Sequence, residues 1–394
     1  MKTSRRTFLA GGLAAPAFVP AAARGANDRI TYGVIGTGNR GRGVSRTFQR
    51  LGAQCVALCD VYDRHLEMAK ADSPKGVKTY LDYHDLLAQD GIDFVLIATP
   101  DHQHRPMLLA ALEAGKDAYQ EKPLSMSLEE SRVMVEAVKK HPDRVVQIGM
   151  QRRSMPFIHR ARRLIEEGIL GRISMVQARW NWHFDLPLDN DPLPGKLDWE
   201  RFLGPAPRRP LEPMRYRWWR GFWDYSGGNM TDQGTHLMDV VQWLTGTGAP
   251  RSAVCQGKII DAPGAEVPNV FSAVFEYEDF IATWTLDYRT NHDYDWAITF
   301  IGELGTMILD RTGCRVYDDP GSSRAPWTEK KRPALIFQEA DRDRGTGHMQ
   351  NMLDCVRSRK RPNCPIEVAA AAVAGPHMAN IAYRENRRVA AKGA

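Results

Sequence analysis

The sequence, 394 residues long, predicts an α/β protein of two domains: a parallel sheet wrapped by helices, then a half built on a mainly antiparallel sheet. Three observations carry that expectation. Ile30 to Gly43, reading ITYGVIGTGNRGRG, runs from an apolar stretch of strand length into a glycine-rich turn and a helix start. From Asp28 to Gln151, strand-like and helix-like segments alternate, which is the pattern of strands joined by covering helices. Past Gly171, apolar and polar residues alternate with period two in several segments, as in an antiparallel sheet with one face covered.

The chain opens on Ser4-Arg5-Arg6-Thr7-Phe8-Leu9, a weakly apolar segment to Val19 and the small residues Ala21-Ala22-Ala23. This is the layout of a twin-arginine export signal, so residues 1–27 are read as signal peptide and linker, and the mature protein as periplasmic or otherwise exported by the twin-arginine machinery. Gly11, Gly12, Pro16 and Pro20 interrupt the apolar run, which is shorter than the roughly 20 residues a spanning helix needs, so no membrane insertion is expected. Loss of the three cations Lys2, Arg5 and Arg6 takes the formal net charge from +6 to +3. No block of five like charges and no basic helix face interleaved with aromatics is present, so a nucleic-acid partner is not expected. Of the six cysteines, Cys55 and Cys59 lie in an apolar strand and the others are scattered without zinc-like spacing. They are read as buried thiols, since this export route moves folded protein.

Tyr32, Val34 and Ile35 close the first apolar run, and Gly36-Thr37-Gly38-Asn39-Arg40-Gly41 follows with the G-x-G-x-x-G spacing of a dinucleotide site. The first glycine permits the tight turn, the second lets backbone approach a pyrophosphate, and the third lets helix pack on strand. Helix N–H groups are left facing the anion. The motif alone also fits a plain glycine-rich turn; its context favours the dinucleotide. A second apolar run, Cys55 to Cys59, ends at Asp60, 24 positions beyond Gly36, where an acid for the ribose hydroxyls is expected after roughly 20. That carboxylate would repel a 2′-phosphate, so NAD is the expected cofactor; Arg40, Arg42 and Arg64 keep NADP open.

The first half continues with a helix over Val61 to Ala71, a short extended piece at Lys78 to Leu81, a helix over Tyr83 to Gln89, and the apolar strand Ile92 to Thr99, which stops at Pro100. Ligands of such sheets sit outside the carboxyl ends of the strands. Thr99, Pro100, His102 and His104 are therefore candidates for the nicotinamide end, with Asp101 alternatively a cap for the helix His104 to Ala114. The strand Asp117 to Gln120 runs into Glu121-Lys122-Pro123, then a helix over Leu128 to Lys140 and a last strand, Val145 to Met150. Pro123 restricts Lys122 to extended geometry. Glu121 and Lys122 thus join the cofactor candidates, and the Lys122 ammonium could stabilise a developing negative charge.

In the second half, Ser154 to Glu167 reads as a basic amphipathic helix, followed by strands Ile173 to Trp182, Ala253 to Ile260, Asn269 to Tyr277, Ile281 to Tyr288, Trp296 to Ile301 and Thr306 to Asp310. Helices Gly347 to Arg359 and Ile366 to Arg388 are expected to pack back on the body. Asp185 to Tyr225, rich in proline and aromatics, reads as a long functional loop. Flat rings beside guanidinium groups suit the mixed lining of a sugar site. His183, Arg217, Trp218, Trp219, Trp223 and Tyr225 are the candidate substrate contacts; the alternative is that the rings pin the loop to the core. From Met230 onward a helix would place Asp232 and His236 one turn apart on one face, a pair suited to proton transfer. No third ligand stands at metal-site spacing, so no metal is expected.

Taken in order, the Gly36 to Gly41 turn, Glu121-Lys122-Pro123 and Asp232-x-x-x-His236 resemble the Gfo/Idh/MocA family of nicotinamide-dependent sugar and cyclitol oxidoreductases, over essentially the whole mature chain. The resemblance implies an N-terminal Rossmann domain and a C-terminal α/β domain whose open, mainly antiparallel sheet often mediates homo-oligomers. It implies further that Lys122 and Asp232 hold substrate hydroxyls and that His236 is the acid/base. The expected activity is hydride transfer from a hydroxyl of a small carbohydrate or cyclitol, with a cofactor that is exported already bound and recycled internally. Alternatives are a redox-assisted glycosidase, lyase or epimerase, or a non-catalytic sugar-binding protein, against which the retained Lys122, Asp232 and His236 argue.

Overall fold

A computed structural model describes residues 29–183, 188–319, 332–342 and 345–391; the export signal read in residues 1–27 lies outside them. The first domain comprises β1 (Thr31–Ile35), α1 (Asn39–Arg50), β2 (Gln54–Cys59), α2 (Asp63–Ala71), β3 (Lys78–Tyr80), α3 (Tyr83–Leu87), β4 (Phe94–Ile97), α4 (His104–Glu113), β5 (Asp117–Gln120), α5 (Leu128–Lys140) and β6 (Val146–Ile148). Its sheet is parallel, ordered β3-β2-β1-β4-β5-β6, the Rossmann order. Helices cover both faces, so the central strands carry apolar side chains on each side; all four residues of β4 are buried. The switch between the two halves of the sheet falls between β1 and β4 and opens a crevice at their carboxyl ends.

Helix α2 starts two residues later than the periodicity suggests. Tyr62 is extended and bridges Leu197, while Asp63 N–H donates to the Lys196 carbonyl and Asp198 N–H to that of Val61. A segment from the other domain thus takes the backbone groups that a longer helix would use.

The second domain adds α6 (Pro156–Glu166), β7 (Ile173–Asn181), α7 (Trp199–Leu203), α8 (Pro213–Arg217), α9 (Gly228–Asp232), α10 (Gly234–Thr245), β8 (Ser252–Lys258), β9 (Val270–Glu276), β10 (Ile281–Asp287), β11 (Asp295–Gly302), β12 (Gly305–Asp310), β13 (Gly313–Asp318), β14 (Leu335–Ala340), α11 (Thr346–Ser358), α12 (Ile366–Glu385) and β15 (Val389–Ala390). The nine strands run β14-β13-β12-β11-β7-β10-β9-β8-β15, and only β7 and β10 pair in parallel. One face packs on α6, α10 and α12 through Phe157, Leu237, Val241, Phe275 and Trp284. Strands β13 and β14 escape the sequence pattern. In β14, at the sheet edge, no residue is fully buried, so it carries no clear alternation.

The two domains share their last helices. Met349, Met352 and Leu353 of α11 join Tyr32, Phe48 and Phe94 of the first domain. Helix α12 buries Ala369, Ala372 and Val373 against that domain, and Met378, Ala379 and Ala382 in the core of the second. One helix rooted in both cores holds the crevice between them. All six cysteines are buried and unpaired, and no described helix is long and apolar enough to cross a membrane.

Two expectations need correction. The stretch from Asp185 to Tyr225, apart from residues 185–187, which lie outside the described ones, is not irregular. It holds α7 and α8, which with the following residues form a small core of Phe202, Leu203, Met214, Phe222 and Tyr225. The helix from Met230 is not continuous either. It breaks at Gln233, and the Asp232 carbonyl at the break accepts a hydrogen bond from Lys122 Nζ.

Candidate active site

A cleft of about 1130 Å³ runs from the β1–α1 turn to α10. At its first end Gly36 has φ +87°, and a Cβ there would stand 2.7 Å from the Ala98 carbonyl oxygen; a Cβ on Gly41 would stand 2.0 Å from that of Gly36. Only glycine allows this turn and this helix–strand approach. Helix α1 has neither a side-chain cap nor an acid in its first turn, and Gly38, Asn39 and Arg40 line the cleft. This is an N-terminus suited to an anion. Thr37 and Gly41 do not line the cleft. Thr37 instead holds Asp60, donating from N (2.6 Å) and Oγ1 (3.0 Å) to Asp60 Oδ2, while Tyr62 N–H donates to Oδ1 at 2.9 Å. With about two acceptor sites on each carboxylate oxygen, Thr37 fills Oδ2 and Oδ1 keeps one site for a ribose hydroxyl. Arg40 is drawn to Glu121 (2.7 Å) and Arg42 to Asn39 and Asp72, and Arg64 does not line the cleft. These residues fit a dinucleotide with a free 2′-hydroxyl.

At the other end Thr99, Pro100, Asp101, Glu121, Lys122, Gln151, Arg220 and His236 converge. The Lys122–Pro123 peptide bond is cis. Lys122 Nζ lies 2.6 Å from Asp232 Oδ1 and 2.9 Å from the Asp232 carbonyl oxygen, and Arg220 Nε lies 3.2 Å from Asp232 Oδ2. Burial works to raise the Asp232 carboxyl, but Arg220 and Lys122 outweigh it and hold the pKa at about 2. Asp232 is therefore a carboxylate between two cations. Burial first, then Lys122, Arg152 and Arg40, push the His236 imidazole well below its ordinary pKa. Its Nδ1 has no partner among the described residues. The arrangement offers a neutral imidazole beside an ammonium group.

His102 and His104 stand apart from the cleft lining. His102 Nε2 meets the Phe202 carbonyl at 2.8 Å, and the two nitrogens of His104 meet those of Pro123 and Thr99. Burial lowers both pKa values to about 4. As neutral rings each has one N–H to donate, so His102 is tied to α7 and His104 to one of its two carbonyl neighbours. Of the aromatic stretch, Arg217 and Trp219 line the cleft, whereas Trp218, Trp223 and Tyr225 do not. Tyr225 is fully buried, Trp223 lies under Arg384, and exposed His183 bridges Arg289. Tyr216 and Arg220, from the same run, also line the cleft and are not among the candidates read from the sequence. Their aromatic and cationic chemistry was the available signal; which rings turn inward depends on α8.

Asp101 is a further member of the site. It does not cap α4: its Oδ2 accepts a hydrogen bond from Ser226 Oγ at 2.7 Å. Burial, then the charge of Asp232, pushes its pKa from 3.8 up to about 7. The neutral form is thus favoured by folding, and its stabilisation is complete below 3.8 and lost as pH rises through about 7. Thermal midpoints of wild type and Asp101→Asn, followed across this range, should show wild type declining relative to the variant and then running parallel above it. Parallel curves throughout would contradict the assignment.

Residues 30–150 match the model of the oxidoreductase family, NAD-binding Rossmann fold, and residues 158–308 match the GFO/IDH/MocA C-terminal domain. An uncharacterized oxidoreductase of Bacillus subtilis is 23% identical over 85% of this chain and 89% of its own. The inositol 2-dehydrogenase of Corynebacterium glutamicum is 28% identical over 55% of each chain. Among solved structures, levoglucosan dehydrogenase in complex with NADH superposes with a TM-score of 0.72 at 17% identity, covering 92% of this chain and 99% of that one. The WlbA dehydrogenase from Bordetella pertussis, in complex with NADH and UDP-GlcNAcA, gives 0.69 at 20% identity over 92% and 99%. At these identities the structures show the fold alone.

Proposed function

The chain belongs to the Gfo/Idh/MocA family of NAD-binding oxidoreductases, and from that premise we propose that it oxidises a hydroxyl of a sugar or cyclitol with a cofactor it does not release. The observation that carries the reading is the convergence of Lys122 and His236 at one end of the cleft, with Asp232 holding Lys122 from behind the lining, while the other end is the glycine turn and Asp60. Lys122 spends two of its three N–H donors on Asp232, which leaves one for the reacting oxygen. His236, neutral and facing the cleft, accepts the hydroxyl proton. Asp232 holds the Lys122 ammonium aimed while that oxygen gains negative charge. Bound nicotinamide supplies the hydride acceptor. Loading the protein with NAD and following the reduced-nicotinamide absorbance over a panel of neutral and acidic sugars and cyclitols tests this; a protein that reduces its cofactor with none of them would refute it.

Retention is supported by the segment that crosses from the second domain to the ribose end. Leu193, Pro194, Tyr216 and Trp219 line the cleft. Tyr62 Oη donates to the Pro194 carbonyl, Tyr216 Oη meets His65 Nδ1 at 3.2 Å, and Leu197 bridges Tyr62. A dinucleotide leaving past Asp60 would have to break this strap. Gly195 within it has φ +90°, and a Cβ would stand 2.4 Å from Asp63 Oδ1. Wild type should purify with nicotinamide that appears only on denaturation, and turn over without added cofactor. Gly195→Ala should release cofactor faster by about tenfold, which corresponds to about 1.4 kcal/mol. Cofactor exchanging freely in wild type would contradict the strap.

A retained cofactor also favours a closed cycle. The sugar oxidised is reduced again after elimination, hydrolysis or epimerisation, or a second substrate takes up its hydrogen. Two parts of the proposal rest on sequence and surface chemistry: export through the twin-arginine route, from the Arg5-Arg6 signal, and pairing with a second copy through the sheet face that exposes Val254 and Ile281.

A further inference from the structure

Arg220 takes no part in moving the hydroxyl proton, yet it lines the same end of the cleft. It sits in the 3-10 turn Trp219–Gly221, which is pinned from outside: the Gly221 carbonyl accepts from the N–H groups of Glu266 and Val267 at 2.8 and 3.2 Å. Its guanidinium carbon lies 4.1 Å from the ring centroid of Trp219, another cleft residue. Nε lies 3.2 Å from Asp232 Oδ2, whereas no described hydrogen bond engages Nη1 or Nη2, and the side chain is 39% exposed. The terminal nitrogens are thus held at the cleft with donors to spare.

Asp232 fixes where this guanidinium stands relative to the chemistry. Its Oδ1 holds Lys122 Nζ at 2.6 Å and its Oδ2 holds Arg220, so the two cations flank a single carboxylate. That spacing suits two oxygens on neighbouring carbons. Asp101 adds an oxygen to the same place. Ser226 Oγ accepts from the Gly228 N–H at 3.0 Å, so its own O–H is free to donate to Asp101 Oδ2 at 2.7 Å. Asp101 lines the cleft, and its Oδ1 has no described partner. After burial and Asp232, the strongest influence on Asp101 is the charge of Arg220, and the strongest on Arg220 is that of Asp101, so the two are neighbours.

We propose that Arg220 and Asp101 bind the hydroxyl on the carbon next to the one oxidised, so that the enzyme requires a substrate with two adjacent free hydroxyls. Lys122 and His236 take the reacting oxygen. Arg220 donates to its neighbour from an Nη group, and Asp101 Oδ1 meets the same hydroxyl. A hydroxyl serves both partners because it donates and accepts at once, whether Asp101 is ionised or protonated. A carboxylate placed there would meet the charges of Asp232 and ionised Asp101, and an ammonium those of Arg220 and Lys122, so the subsite selects a neutral group. The inference rests on the sugar-oxidoreductase reading and narrows its substrate class.

The test uses the NAD-loaded protein with D-glucose, D-galactose and myo-inositol, each beside its monodeoxy forms. Binding is read from tryptophan fluorescence, which does not require turnover, and hydride transfer from nicotinamide absorbance. In wild type, loss of one hydroxyl next to the oxidised carbon should weaken binding about 10- to 10²-fold, as loss of a hydrogen bond to a charged group does. Arg220→Gln should bring the parent sugar down to the affinity of that deoxy form and leave the deoxy form itself unchanged, a coupling that a purely structural role would not produce. Asp101→Ala should narrow the same gap. No deoxy form bound more weakly than its parent anywhere in the panel, or a gap that survives intact in Arg220→Gln or Asp101→Ala, would overturn the subsite. Should Arg220→Gln fail to fold, Arg220→Lys keeps a cation beside Asp232 without the fork; an undiminished gap there overturns the contact and a reduced one supports it. A gap erased by Arg220→Gln without any hydride transfer would uphold the subsite and count against the oxidoreductase reading instead.

Discussion

Replacing His236 by alanine should lower turnover by about 10²- to 10⁴-fold, the usual contribution of a positioned acid/base, while the protein keeps its cofactor. The asymmetry follows from position. His236 stands at the Lys122 end of the cleft, and the dinucleotide turn and Asp60 stand at the other. The side chain is 8% exposed and its Nδ1 has no described partner, so truncation breaks no hydrogen bond at that atom and the fold should tolerate it. Single-turnover reduction of bound nicotinamide, with nicotinamide content measured on the same sample, separates chemistry from binding. Near-normal turnover in His236→Ala would remove it from the mechanism.

Lys122→Ala should cost about 10²- to 10³-fold in kcat, as the loss of one donor to a developing oxyanion does elsewhere. A second consequence distinguishes it from His236→Ala. Lys122 and Arg220 together hold the Asp232 carboxyl at about 2 against its burial. With one cation gone, that pKa rises. Asp232 stabilises the fold only above the unfolded carboxylate value of 3.8, a contribution lost as pH falls through about 2. In Lys122→Ala that contribution is smaller at every pH above 3.8, so the variant starts less stable and should unfold earlier than wild type on acidification, whereas His236→Ala should not. An unchanged acid midpoint in Lys122→Ala would show that Arg220 alone fixes the carboxylate.

The order of secondary structure was legible because burial leaves different periods in different places. The strand Phe94–Ile97 is apolar throughout because helices cover both faces of its sheet, and β10 alternates because only one face of the second sheet is covered. The glycine turn was legible because its steric demands admit no other residue at Gly36 or Gly41. What stayed hidden depends on contacts distant in sequence. The extended conformation of Tyr62 is set by Leu197, the raised pKa of Asp101 by its burial and by Asp232, and the choice of inward rings by the packing around Tyr225. His102 and His104 looked like site residues because they follow a strand end; their hydrogen bonds to loop carbonyls are a tertiary fact.

The central claim is that a hydrogen on a substrate carbon passes to nicotinamide held in this cleft, with Lys122 and His236 managing the hydroxyl proton. The most direct measurement is to mix the NAD-loaded protein with a sugar deuterated at its carbinol carbons, quench within the first turnover before the hydride can be returned, and analyse the released cofactor by mass spectrometry. Deuterium on the nicotinamide in wild type, and far more slowly in His236→Ala and Lys122→Ala, is the expected result. Sugar oxidised in that first turnover while the cofactor stays unlabelled would contradict it.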